Sequence, residues 1–83
     1  MMLTPINFNK SATITKSDTV NIVGPKPLTD AVYVGGAGVV VAVYEDDSTE
    51  AFTAVAGGYL PIKIKRVNSG STTATLMVAL YQV

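Results

Sequence analysis

Cysteine and histidine are both missing from this 83-residue chain. Without cysteine there is no disulfide, no thiolate metal site and no thiol nucleophile. Without histidine the commonest transition-metal ligand and the commonest general base are gone. Tryptophan is absent as well. Charge is sparse: six basic and six acidic residues cancel to zero. That leaves no field to draw in nucleic acid or anionic lipid, so neither is expected as a partner. No apolar run approaches the roughly 20 residues that span a bilayer. The opening MMLTPINFNK has no basic segment leading into an apolar one, so it does not read as a secretory signal. The expectation is a soluble protein made in the cytoplasm.

What is present is apolar. Hydrophobic residues make up 48% of the chain and charged ones 14%; the first figure excludes disorder and the second is low for a protein that stays monomeric. The length allows one domain. A domain of this size buries only about two-thirds of its unfolded surface and normally needs a staple. With disulfides and histidine or thiolate metal sites excluded, association with other chains is the staple that remains.

Strand signals run through most of the sequence. Residues 1–10, with Pro5 and two Asn, read as an extended arm. Alternation begins at Ala12 and Ile14, and resumes at Val20 and Ile22 after a turn at KSD. GPKPLTD (24–30) breaks the chain, because Gly and two Pro cannot continue a ladder. AVYV and VVVAVY (39–44) read as strands separated by a GGAG turn, and EDDST is a hairpin loop before EAFTAV. YLPIKIKRV carries Ile62 and Ile64 against Lys63 and Lys65 in strict period two, with Pro61 marking a strand start or an edge. NSGST leads into a last strand over 73–82. The expected fold is all-β: a compact antiparallel β-sandwich or small barrel of six to seven short strands. Residues 1–29 form the N-terminal arm and first strands, and 30–83 the main body of the same single domain.

Two of these strands are apolar front and back. In the last, Ala74, Leu76, Val78 and Leu80 share one face, and Met77, Ala79, Tyr81 and Val83 the other. In 39–44, Val39, Val41 and Val43 oppose Val40, Ala42 and Tyr44. One face fills the core; the other is left for a partner, since a continuous exposed apolar face marks an interface, or for the N-terminal arm or the 24–30 loop to fold over. Val40, Ala42, Tyr44, Met77, Ala79 and Tyr81 are the candidate interface residues, joined by Ile6 and Phe8 of the arm. At about 25 cal/mol per Å², a few hundred Å² of covered surface contributes several kcal/mol, comparable to the whole stability of so small a domain.

Motifs that carry chemistry are scarce. VGGAG lacks the GxGxxG spacing and any following helix, so it reads as a turn. EDDSTE (45–50) gathers four of the six acids but lacks EF-hand spacing, and reads as a solvated hairpin tip. Lys63, Lys65 and Arg66 form a short basic stripe, a solvated face or a complement to the 45–50 loop of a neighbouring copy. Six aromatics without Trp read mainly as core and interface, with an exposed platform for a glycan as the alternative. No nucleophile has an activating partner, so neither enzymatic activity nor a cofactor is expected.

The block from Asp30 to Tyr81 resembles a known family. Its carrying elements are DAVYVGGAG, Phe52, AGGYLPIKIKRV and GSTTATLMVALY. These are similar to small virion proteins of tailed bacteriophages and gene transfer agents, described as head-spike base or capsid-associated proteins. EDDST departs from the Asp-Gly turn of that pattern and implies a longer loop. The resemblance implies an all-β structural protein without catalytic groups, present in many copies as a capsid decoration, cement or head-spike base protein. It implies a homo-oligomer, trimer favoured, on the capsid surface of a virion, with the major capsid protein or a spike or fibre protein as further partner. The alternative is a carbohydrate- or receptor-binding module of a phage spike or tail.

Overall fold

The computed structural model describes residues 8–83. Seven strands follow in chain order: β1 (Lys10–Thr13), β2 (Ala31–Gly36), β3 (Gly38–Val43), β4 (Thr49–Ala54), β5 (Gly58–Leu60), β6 (Arg66–Val67) and β7 (Thr75–Tyr81). They form two antiparallel sheets, one of order β1-β7-β2-β5 and one of order β4-β3-β6. The fold is a small β-sandwich. Ile14, Val32, Val34, Val40, Ala42, Ile64, Val67, Met77, Ala79 and Tyr81 fill the space between the sheets.

The chain passes from sheet to sheet at short corners. GGAG is one of them, and it is not a hairpin. β2 ends at Gly36 in the first sheet, and β3 starts at Gly38 in the second. Glycine is required at position 38 because a Cβ there would lie 2.6 Å from the Ala74 nitrogen and 2.8 Å from the Thr73 carbonyl carbon. The β3–β4 connection is the hairpin read from EDDST. Tyr44 N donates to the Ser48 carbonyl at 2.8 Å, and Asp47 takes a left-handed φ of 71°. A second corner, Val55–Gly58, returns the chain to the first sheet, with Gly57 at φ 80°.

Two strand expectations need correction. Val20 and Ile22 lie in no strand, because segment 14–22 runs past the edge of β6. Its backbone bonds there at only two points, Ser17 N to Val67 O (2.9 Å) and Ile22 N to Lys65 O (2.8 Å). YLPIKIKRV is also not one strand. Pro61 has no N–H to extend the ladder, and the chain leaves β5 at Leu60 to cross into the second sheet at Arg66. The period-two pattern of 62–65 is real all the same, since Ile64 is buried and Lys63 exposed.

Across these irregular stretches, threonine hydroxyls replace missing ladder bonds. Thr29, buried, takes the Ile64 N–H on its Oγ1 at 3.1 Å, and the same hydroxyl donates to the Ile62 carbonyl at 2.8 Å. Thr72, also buried, accepts the Val41 N–H at 3.0 Å. Buried backbone donors must find partners, and these two side chains supply them where no strand runs alongside.

Candidate functional site

The strand faces settle inward and outward as follows. Val40, Ala42, Met77, Ala79 and Tyr81 are all buried in the domain's own core. That corrects their assignment as interface residues. Tyr44 is half-buried and packs against the same core. Phe8 is half-buried and flanks a shallow cleft with Lys10, Ser11 and Leu80 at the β1 edge. Ile6 lies outside the described residues. The face open to a partner is therefore the other side of β7: Leu76, Val78 and Leu80.

The physical reason lies at Leu76. Its φ is +54°, a left-handed conformation that a branched side chain adopts only under constraint. The kink shifts the alternation by one residue. Ala74 points into the core before it, Met77 points into the core after it, and Leu76 is thrown outward, 77% exposed. Gly35 on β2 makes room, because a Cβ there would meet the Leu76 Cβ at 2.8 Å.

The register extends this outer face across the sheet. Tyr33 lies opposite Val78 on one side and Tyr59 on the other, so Thr13, Val78, Tyr33 and Tyr59 form one row over four strands. Tyr33 is 39% exposed and Tyr59 57%. With Leu76 and Leu80 they form an apolar surface carrying two phenol groups and no charge. The outer face of the second sheet is better covered: Val39 and Val41 are half-buried, and Val43 is buried beside Arg66.

Most of the charged groups are occupied within the chain. Asp30 accepts from the Gln82 amide at 2.7 Å and pairs with Lys26 and Lys63, each at 2.6 Å. The Gln82 N–H, then the two ammonium groups, hold its carboxyl well below the usual carboxylate range. Lys65, just before β6, pairs with Asp47 of the β3–β4 hairpin, whose carboxyl it holds low. That places within one copy the contact that the sequence allowed between neighbours. Arg66 donates to the Asn21 side chain at 2.9 Å. Asp46 takes the Ser48 hydroxyl and amide, and its carboxyl is held low by both. Burial, with the Asp30 charge second, pushes the Tyr81 phenol up. Among the described residues no three acids gather as metal ligands. The arrangement is suited to packing against another surface.

No family model matches the chain, and no curated protein matches it. A solved structure does. It is a chain from the capsid of a native gene transfer agent (GTA) particle, computed with C5 symmetry. The TM-score is 0.79 at 30% identity, covering 89% of this chain and 83% of that one. The chain belongs to the same family as this capsid chain. In this chain the strand-poor stretch between β1 and β2 (14–30) is held to the sandwich by bonds that include those of Thr29 and Asp30.

Proposed function

We propose that this protein is a structural component of a phage-like or gene transfer agent particle, bound to another capsid protein through the outer face of its four-stranded sheet. The observation that carries the reading is the apolar row Leu76, Val78, Leu80, Tyr33 and Tyr59 on a domain related to a capsid chain. Large exposed apolar surfaces mark protein contacts, and tyrosine is favoured there because its rigid ring buries area at small entropic cost. A strained, exposed Leu76 fits the same role, since backbone strain persists where function requires a side chain to be presented. In this reading the protein is a capsid decoration, cement or head-spike base protein. It sits on the particle surface in many copies as a homo-oligomer.

The test is incorporation. Val78→Asp and Leu76→Asp change the outer face without entering the core. Particles produced with either variant should carry at least tenfold less of the protein by quantitative mass spectrometry, while circular dichroism of the purified variant stays native. Native incorporation of both variants would refute the assignment of this face.

The cross-strand pair Tyr33–Tyr59 favours a second reading, a carbohydrate-binding platform, because adjacent exposed rings stack on sugar faces. A glycan array compares the protein with Tyr59→Ala. Binding lost in the variant supports this reading, and silence across the array removes it.

A further inference from the structure

The edge of the second sheet carries an inference independent of the docking face. In β3, Val39, Val41 and Val43 turn their backbone groups toward Thr73, Asn68 and Lys65 on the β6 side. Tyr44 bonds Ser48, so by alternation Ala42, Val40 and Gly38 bond Glu50, Phe52 and Ala54. Thr49, Ala51 and Thr53 of β4 therefore direct their N–H and C=O groups away from the domain. Among the described residues none of these groups has a partner. All three residues are exposed.

Native sheets blunt such an edge with Pro, Lys, a bulge or a covering segment. Elsewhere in this domain that is done: segment 17–22 covers β6, Pro61 ends β5, and Lys10 stands on β1. β4 is six residues long with the sequence TEAFTA and, among the described residues, has no Pro, Lys, bulge or covering segment, its one charge being Glu50.

We propose that β4 pairs antiparallel with β4 of a second copy of this chain, about a twofold axis at Ala51. The occupant follows from self-complementarity. With Ala51 opposite Ala51 of the second copy, Thr49 meets Thr53 and Thr53 meets Thr49. All three outward-directed residues then find partners, each pair exchanging two bonds. Sliding the register by two residues leaves only two such pairs. In one direction it also sets the two Glu50 carboxylates directly opposite each other, which is destabilising. In the proposed register Glu50 faces Phe52, and the two Glu50 residues are diagonal neighbours, about 7–8 Å apart at the backbone. Alanine at the axis brings no steric bar, threonine pairs are favourable across strands, and the zero net charge of the chain sets up no long-range repulsion between copies. The product is a continuous sheet β6-β3-β4 from one copy and β4-β3-β6 from the other.

The absence of native cysteine makes the test direct. Opposed residues in a bonded antiparallel pair have Cα atoms about 5.5 Å apart, within disulfide range. Ala51→Cys, treated with oxidised glutathione, should convert to a covalent dimer on a non-reducing gel. Thr49→Cys alone and Thr53→Cys alone should crosslink at least tenfold less, because each is about 14 Å from its own copy, four residues at about 3.4 Å. An equimolar mixture of those two should crosslink. Ala51→Lys, which opposes two ammonium groups at the axis, should lower the sedimentation mass of the native assembly while circular dichroism stays native. An Ala51→Cys protein that remains monomeric, a Thr49→Cys protein that crosslinks as well alone, or an Ala51→Lys protein of unchanged mass overturns the proposal.

Discussion

Asp30 ties three distant parts of the chain together, and its charge should be visible in the pH dependence of stability. The carboxylate is 13% exposed and accepts from Gln82 at the C-terminal end, Lys26 in the proline-rich loop and Lys63 in the crossover between sheets. Asp30→Asn keeps the shape and one acceptor but removes the charge. Charge-assisted bonds are roughly twice as strong as neutral ones. Lys63 is 67% exposed and contributes little, so most of the loss comes from the Gln82 amide and Lys26. The expected cost at pH 7 is about 2 kcal/mol. For a domain of this size that lowers Tm by about 10 °C.

The pH window follows from the depressed carboxyl. A group held low in the folded state stabilises above its unfolded pKa, about 3.9 for Asp, and that contribution is lost as pH falls toward the folded value. Between those limits only the unfolded chain takes up the proton, and stability falls by about 1.4 kcal/mol per pH unit. Thermal unfolding by circular dichroism, run on both proteins from pH 7 to pH 2.5, should therefore show a gap in Tm that is constant above pH 5 and closes below pH 4. Taking the difference cancels the other carboxylates. A gap of the same size at pH 2.5 as at pH 7 would show that the carboxylate is not held by these partners, and would refute the reasoning.

Two further outcomes test the joints of the fold. Thr29→Val strands the Ile64 N–H and the Ile62 carbonyl in a buried site and should cost about 2–3 kcal/mol in urea unfolding, whereas Thr19→Val on the exposed loop should change the midpoint negligibly. Gly38→Ala drives a methyl group into the Thr73–Ala74 backbone. It should cost about 2–4 kcal/mol, while Gly70→Ala, whose Cβ would stand 3.8 Å from the Asp18 carboxylate, should fall within about 0.5 kcal/mol of the parent.

Much of this was legible in the residues. Strand-forming Val, Ile, Thr and Tyr, the punctuation of Gly and Pro, and the hairpin at EDDST pointed to six or seven short antiparallel strands, and the described residues form seven. The chemistry withheld by the composition, with no cysteine and no histidine, needs no fold to be read. What the pattern left open was direction. Along β3 and β7 the residues are apolar on both sides, so exchanging inner for outer face leaves the hydrophobic pattern unchanged. Alternation carries orientation only where one side is polar. Sheet pairing removes that degeneracy by placing Met77, Ala79 and Tyr81 against Val40 and Ala42, and the left-handed Leu76 sets the phase. The Lys63–Asp30 pair was equally invisible, because it joins residues 33 positions apart that meet only after the chain crosses between sheets, and the Lys65–Asp47 contact was legible only as one between copies. Composition and local pattern thus determined the kind of layers this chain builds. Long-range pairing alone decided which side of each layer faces water.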